Sequence, residues 1–236
     1  MSSQPIIELK NVTLEYNTRV GLFKRFKHKA LNNVSFTVNK GEVFGVLGSN
    51  GSGKSTLLQV LAGIFKPDVG HVEIDKLTTR SLLSLGLGFN NQLSGRDNAL
   101  ISCMLEGYNK AQAKELLEEI KVFSELGEFF EQPVKSYSSG MRARLGFATG
   151  LKIKVDLLLI DEVLSVGDAN FKNKAEAALL EKMKGEQTVV FVSHSAAQVK
   201  KLCERCIWLD KGEVRAVGLT ESVMNKYQKA GVKNES

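Results

Sequence analysis

The sequence of 236 residues contains little proline and little cysteine, three of each, and a single tryptophan. So few prolines exclude a proline-rich disordered chain and a collagen-like one. Three thiols cannot all pair with one another, and a domain of this length buries a core without disulfides, so we expect a reducing, cytoplasmic setting. The longest uncharged stretch, Ser81–Gly95, is too short and too polar for a transmembrane helix. We also expect no secretory signal, because no basic segment precedes an apolar run at the N-terminus.

The charge balance is modestly positive, since 32 basic and 26 acidic side chains give a net charge of +6. This surplus permits binding to nucleic acid or to an anionic membrane surface without predicting either. The densest basic run, Lys24–Lys29, is interpreted as a solvated loop between two strands. A contact with acidic lipid headgroups is the alternative.

Hydrophobic periodicity predicts an α/β fold that is interrupted by a helical segment. Alternation up to Tyr16 predicts a strand pair, and Val43–Leu47 has the composition of a buried strand. Between Arg96 and about Gln132 the strand signal disappears and an amphipathic helical stripe replaces it. Further strands are predicted at Val34–Val38, His71–Ile74, Leu157–Asp161, Thr188–Ser193, Ile207–Asp210 and Val214–Val217, with helices around Ala175–Met183 and from Glu221.

A glycine-rich segment directly after the strand Val43–Leu47 fits the pattern G-x-x-x-x-G-K-[ST]. A helical pattern that extends to Ile64 follows it, and strand, loop and helix together are the context of a phosphate-binding loop. We expect Lys54 to reach the β- and γ-phosphates and Ser55 to bind Mg²⁺. The predicted nucleoside triphosphate site comprises Gly48, Ser49, Asn50, Gly51, Ser52, Gly53, Lys54, Ser55 and Thr56.

A second element of this site is the apolar strand Leu157–Asp161, which is followed by Glu162. A carboxylate at the carboxyl end of a strand can hold Mg²⁺, so Asp161 is the predicted ligand. Glu162 is the predicted general base that orients the attacking water.

Three further segments resemble the motifs of ATP-binding cassette (ABC) ATPases. Lys135–Arg142, which reads KSYSSGMR, resembles the signature motif, Ser165–Asp168 resembles the D-loop, and Val192–His194 resembles the switch-histidine segment. The resemblance implies an α/β P-loop NTPase core of ABC ATPase type with an antiparallel β subdomain and a helical subdomain. It implies one ABC ATPase domain over residues 1–236, with the core and β subdomain at about 1–89 and 133–236 and the helical subdomain at about 90–132.

Further sequence features are similar to those of ATPase subunits that export polysaccharides. Those exporters handle lipid-linked O-antigen, capsular polysaccharide and teichoic acid. These features are YSSGM in the signature, DEVLSVGD after the strand that ends at Asp161, the short segment Gly86–Asn98, and Phe123–Gly127 before Pro133. Some O-antigen members carry an extra C-terminal carbohydrate-binding domain, and we expect none here.

The resemblance implies roles for individual residues. Tyr16 would stack on adenine, with a surface tyrosine at a strand end as the alternative. Ser138, Ser139 and Gly140 would contact the γ-phosphate of ATP on the opposite protomer. Asp168 would help to link the two sites, and His194 would touch the γ-phosphate and the attacking water.

The sequence departs from the family pattern where a glutamine usually follows a strand directly. Here Phe89 is followed by Asn90 and Asn91, and Gln92 comes next. Which of the three senses Mg²⁺ and the membrane partner stays open, and Gln92 is the candidate metal ligand. In the signature, Ser139 and Met141 replace the usual residues, but the binding geometry is expected to survive.

The pair Cys203-x-x-Cys206 permits a metal or redox interpretation. No second pair and no histidine ligand lie nearby in the sequence, so buried thiols are the preferred interpretation.

These motifs imply a nucleotide-driven motor that uses ATP and Mg²⁺. Because each nucleotide needs the signature of a second copy, we expect a head-to-tail homodimer. The expected partner is an integral membrane permease, in two copies, that carries a lipid-linked glycan, and the chain itself would lie peripherally on the cytoplasmic face of the cell membrane. No nucleic acid partner is expected. The alternatives are an importer or drug or lipid efflux ATPase of the same fold, a soluble ABC protein acting on DNA or ribosomes, and a regulatory module without turnover.

Overall fold

The computed structural model describes residues 5–20, 24–83, 88–161, 168–183, 185 and 187–231. In chain order its elements are β1 (Pro5–Val20), β2 (Lys24–Asn39), β3 (Val43–Leu47), α1 (Lys54–Leu61), β4 (Val69–Ile74), β5 (Arg80–Leu83), α2 (Gly95–Leu105), α3 (Lys110–Ser124), α4 (Ser139–Lys152), β6 (Leu157–Asp161), α5 (Ala169–Met183), β7 (Thr188–Ser193), α6 (Ala196–Leu202), β8 (Arg205–Asp210), β9 (Glu213–Leu219) and α7 (Thr220–Lys229). The chain divides into two compact units, the first formed by residues 1–80, 157–162 and 186–236 and the second by residues 81–156 and 163–185.

Two sheets build the first unit. In one of them β1 lies between β2 and β4 and is antiparallel to both. In the other, the strands follow the order β6-β7-β3-β8-β9. There β3 is parallel to β7 and β8, β6 is parallel to β7, and β9 is antiparallel to β8. The expected buried strand Val43–Leu47 is confirmed as the central strand β3, whose last four residues are buried.

The N-terminal region differs from the prediction. The alternation up to Tyr16 belongs to one 16-residue strand, β1, and not to a strand pair. The basic run Lys24–Lys29 is not a loop either, because it forms the beginning of β2, where Lys29 pairs with Glu15 across the ladder. The backbone N–H and C=O groups of this run form hydrogen bonds with β1. The density of basic residues in the sequence does not reveal this strand pairing. The exposed Lys27 places its Nζ 3.4 Å from the Glu15 carboxylate.

The helix after the glycine-rich loop is shorter than predicted. It ends at Leu61, and Gly63, at φ +77°, lies in the left-handed region that commonly terminates a helix. Ile64 therefore lies outside the helix and is 60% exposed.

The second unit is helical. The predicted stripe of α3 is confirmed, since Ala113, Leu117 and Ile120 are buried. The aromatic rings of Phe123, Phe147 and Phe171, one each from α3, α4 and α5, meet with centroids 5.9 to 6.3 Å apart. Because α4 and α5 share this core with α3, the unit extends beyond the expected helical segment 90–132. Within the described ranges, no helix is both long enough and apolar enough to cross a membrane.

Close packing of α6 on β3 generates a first prediction, for Gly45. A Cβ added at this glycine would lie 2.6 Å from Val199 Cγ1 and 3.1 Å from Cys203 Sγ. Gly45→Ala should lower the free energy of unfolding by about 1–3 kcal/mol, because overpacking forces neighbouring groups to move. Urea denaturation measures this loss.

Gly185→Ala is the matched control. The nearest atom to its added Cβ is the Lys182 carbonyl oxygen at 3.4 Å, which is ordinary contact. We expect a change within about 0.5 kcal/mol. Equal losses in the two variants would contradict the steric argument.

Candidate nucleotide-binding site

Three parallel strands of the first unit end at the same edge of the sheet. The register pairs Leu47 of β3 with Ser193 of β7, and Asp161 of β6 with Val192 of β7. The carboxyl edge of a parallel sheet is the usual place of a ligand site in α/β proteins. The glycine-rich loop, Asp161 and His194 therefore lie along one edge, as the sequence predicts.

The glycines of the loop permit close approach of backbone to backbone. A Cβ at Gly48 would lie 2.3 Å from the Leu209 carbonyl oxygen and 2.4 Å from Ser52 Oγ. At Gly53, φ is +103° and a Cβ would lie 2.4 Å from the Ala30 carbonyl oxygen. No other residue type fits either position without a shift of the backbone. The loop thus forms a concavity of backbone N–H groups at the start of α1.

Lys54 lies inside this concavity. Its Nζ donates hydrogen bonds of 2.8 Å to the carbonyl oxygens of Gly48 and Ser49. Burial lowers the pKa of Lys54, and the charge of Asp161 partly opposes that shift. Ser52 Oγ is buried and has no hydrogen-bond partner among the described residues. A buried ammonium, an unused buried hydroxyl and a glycine cradle together fit a bound phosphate group.

Tyr16 is attached to the first turn of α1. Its hydroxyl lies 3.3 Å from Thr56 Oγ1, and its ring meets that of Phe65 edge to face at a centroid distance of 5.8 Å. The side chain is half-buried, which leaves part of an aromatic face beside the phosphate-binding helix. That position is compatible with stacking on a base.

Two other predicted residues of the first unit lie where parallel strands end. Asp161 is half-buried at the end of β6, and His194 is exposed between β7 and α6. Ser195 caps α6 by accepting a hydrogen bond from the Gln198 N–H, which fixes the backbone next to His194. Glu162 and the D-loop residues Ser165–Gly167 lie outside the described residues.

The signature segment begins α4 in the second unit. Ser138 is the N-cap residue, and its Oγ accepts a 3.2 Å hydrogen bond from the Met141 N–H. Tyr137 is buried, donates its hydroxyl to the Phe129 carbonyl oxygen at 2.5 Å, and has a pKa that burial raises to about 12. The replacements Ser139 and Met141 therefore leave the helix N-terminus and its cap in place. An open cleft of about 760 Å³ lies here, lined by Ser138, Ser139, Gly140 and Asp168 among others.

The segment with the candidate metal ligand Gln92 is held by a residue that the sequence analysis did not assign. Asn98 is 3% exposed, accepts the Asn90 N–H at 2.8 Å, and donates to the carbonyl oxygens of Asn90, Leu93 and Ser94. The side chain of Gln92 is exposed. The sequence signal that could have revealed this role is an asparagine within a helical pattern, because asparagine side chains favour local hydrogen bonds to the backbone over helix propagation.

The thiols of Cys203 and Cys206 are buried, as predicted. Burial raises the pKa of both. Across the described part of the chain, no group of three or more histidine, cysteine, aspartate or glutamate side chains is arranged to hold a metal ion.

The site residues are thus distributed over the two units. The first contains the glycine-rich loop, Tyr16, Asp161 and His194, and the second contains Ser138–Gly140, Asp168 and Gln92. A glycine-rich loop between a central parallel strand and a helix, with a carboxylate at the same edge of the sheet, defines a P-loop nucleotide-binding protein.

Comparison with known proteins identifies the family. Residues 31–165 match the model of the ABC transporter family, so the chain belongs to the ATP-binding subunits of ABC transporters, a family of ATPases. The chain is 38% identical over 244 residues to the O-antigen export ATP-binding protein RfbB of Klebsiella pneumoniae, with 96% of this chain and 99% of the relative covered. It is 44% identical over 201 residues to the teichoic acids export ATP-binding protein TagH of Bacillus cereus, with 85% of this chain covered.

The lengths of these relatives differ. The match spans 36% of the Bacillus cereus protein and 53% of the TagH protein of Enterococcus faecalis, which is 40% identical. Among solved structures, the dimeric structure of MJ0796, a bacterial ABC transporter cassette, has a TM-score of 0.75 at 26% identity and covers 91% of this chain and 98% of that one. The P-loop ABC ATPase fold is therefore confirmed.

The geometry of the loop predicts the effect of removing Lys54. Lys54→Ala should weaken nucleotide binding about a hundredfold, because charge-assisted hydrogen bonds to phosphate are lost from a buried position. Titration with a fluorescent ATP analogue measures the dissociation constant. Lys66→Ala, which removes an exposed lysine of the same unit, should leave it within about twofold. A similar loss in both variants would show that general charge, and not the loop, holds the nucleotide.

Proposed function

We propose that this chain is the ATP-hydrolysing subunit that powers export of a lipid-linked polysaccharide, such as O-antigen, capsular polysaccharide or teichoic acid, across the cytoplasmic membrane through a separate transmembrane subunit. The observation that carries the proposal is the built P-loop of Gly48–Ser55 in a chain that aligns over 96% of its length with an O-antigen export ATP-binding protein. The names of the TagH relatives support the same class of substrate.

In this proposal the loop binds ATP through its backbone N–H groups and through Lys54. When Mg²⁺ is bound, Ser55 and Asp161 would hold it, with Gln92 as the candidate third ligand, and it would neutralise charge on the phosphates. Glu162 accepts the proton of the attacking water, and His194 orients that water and the γ-phosphate. The ring of Tyr16 stacks on the adenine.

The second copy of the chain completes each site. Ser138, Ser139 and Gly140 meet the γ-phosphate of the partner's ATP at the capped N-terminus of α4, where the backbone N–H groups favour an anion. ATP closes the homodimer, and hydrolysis followed by release of phosphate opens it. The dimeric state of the MJ0796 cassette supports this arrangement.

A membrane permease is the proposed mechanical partner, which places the chain peripherally on the cytoplasmic face of the membrane. The second unit offers an apolar surface for it on α2, where Ile101 is 42%, Met104 43% and Leu105 82% exposed. These residues are three and four positions apart, so they share one helix face. Apolar side chains exposed together on one helix are typical of a protein-binding surface.

Loss of the general base tests the proposed function. Glu162→Gln in the source cell should abolish surface polysaccharide and cause lipid-linked chains to accumulate inside, because ATP is bound but not hydrolysed. Gels of surface polysaccharide and extraction of lipid-linked intermediates measure both effects. Normal surface glycan together with the failure of another solute or process would overturn the substrate class and leave the ABC mechanism intact.

The α2 surface generates a separate prediction. Leu105→Glu should release the chain from membranes in cell fractionation while ATP binding stays within about twofold of wild type, because only the docking face acquires a charge. The control is Val122→Glu on α3, where another apolar side chain is 68% exposed. Retention of the Leu105→Glu variant on membranes, or equal release of both, would contradict docking through α2.

A further inference from the structure

A network of four charged side chains joins α3, α4 and α5 beside the signature segment. Arg144 of α4 contacts the Asp168 carboxylate through one terminal nitrogen, and its other terminal nitrogen lies 3.8 Å from Glu125. Lys174 of α5 approaches the second carboxylate oxygen of Glu125 at 2.7 Å. The two cations and two carboxylates thus form one chain of alternating sign.

Each of the two cations also lies over an aromatic ring. The Arg144 guanidinium lies 5.1 Å from the centroid of the buried Phe171 ring, and Lys174 Nζ lies 4.7 Å from that of Phe123. Lys174 also donates to the Phe123 carbonyl oxygen at 3.0 Å, which attaches α5 to the end of α3. A ring face attracts a cation electrostatically, so each cation of the network has an aromatic partner in addition to a carboxylate.

Asp168 uses both of its carboxylate oxygens within its own chain. One contacts Arg144, and the other accepts a 3.0 Å hydrogen bond from the Phe171 N–H at the start of α5. The Phe171 N–H and Arg144 both hold the pKa of Asp168 below its ordinary value, so the carboxylate is charged at neutral pH. It fastens the first turn of α5 to the first turns of α4.

We propose that Arg144 is a positioning residue that joins Asp168 and the start of α5 to the signature helix α4, so that the partner's nucleotide meets one block containing Ser138, Gly140 and Asp168. This inference rests on the proposed function, because it concerns the composite site of the dimer. A planar guanidinium can address two carboxylates in fixed directions at once, whereas an ammonium is a single point charge.

The exposure of the Arg144–Asp168 ion pair distinguishes a positioning role from a purely structural one. The Arg144 side chain is 21% exposed and that of Asp168 is 59% exposed, and ion pairs this open contribute little to stability. A purely structural role therefore predicts at most a small shift in melting temperature and no change in dimer formation. A positioning role predicts a loss of ATP-driven dimerisation in a chain that still folds and still binds ATP.

The experiment measures ATP-driven dimerisation of the full chain by sedimentation velocity, in the Glu162→Gln background, where bound ATP is not consumed. Adding Arg144→Met should weaken dimerisation about tenfold, while the affinity of the loop for a fluorescent ATP analogue stays within about twofold. Lys152→Met is the matched control, because it breaks the 2.8 Å ion pair with Glu119 that also joins α4 to α3, but at the far end of α4. It should dimerise as the parent does.

Two further variants complete the test. Arg144→Lys keeps the positive charge but lacks the planar guanidinium, so its dimerisation should be partly weakened. This variant keeps the test valid if Arg144→Met folds poorly. Arg144→Met together with Asp168→Asn should lose no more than Asp168→Asn alone, because Arg144 acts through Asp168.

Several outcomes would overturn the inference. Parent-like dimerisation of Arg144→Met and Arg144→Lys, losses that multiply in the double variant, or an equal loss in Lys152→Met would each do so. Failure of the Glu162→Gln parent to dimerise with ATP would instead remove the composite site of the proposed function, and this inference with it.

Discussion

The parallel hydrogen bonding of β3 to β7 and β8 is the constraint on which the rest of the first unit depends. Together with the pairing of β6 to β7, it aligns the ends of β3, β6 and β7, and so brings a loop, a carboxylate and a histidine from three distant parts of the sequence to one edge. The turn of the β8–β9 hairpin adds to this alignment, because the Gly212 N–H donates to the Ser52 carbonyl oxygen at 2.9 Å. The conformation of the loop is thus held by the sheet around it, and the glycines make that contact sterically possible.

The second unit has a different organising principle. Its helices meet around three aromatic rings, and polar groups at the helix ends decide how the functional segments are displayed. Ser138 caps α4, Asn98 holds the loop that contains Gln92, and Asp168 begins α5. In the proposed transport cycle, this unit has to present a nucleotide-contacting helix to one partner and an apolar face to another. Polar attachments at the helix ends fix the backbone from which both surfaces project.

Some features of the fold and of the site are predictable from the sequence, and others are not. The strand Val43–Leu47, the loop after it and the stripe of α3 were predictable, because glycine spacing and hydrophobic period are local signals. The pairing of Lys24–Lys29 with β1 and the early end of α1 were not, since strand pairing is non-local and a helix end depends on the φ of one glycine. The bonds of Asn98 and the contacts of Arg144 were likewise hidden. Each joins residues whose proximity exists only after folding.

The burial of all three cysteines has a practical consequence. Cys103, Cys203 and Cys206 are at most 5% exposed, and burial raises the pKa of each, that of Cys103 to about 11. The thiolate is the form that attacks alkylating reagents, so the native thiols should react very slowly with them in the folded protein. A single cysteine introduced at an exposed position would then be the dominant reactive group. Spectroscopic labels or cross-linkers could thus follow the opening and closing of the proposed dimer without removal of any native residue.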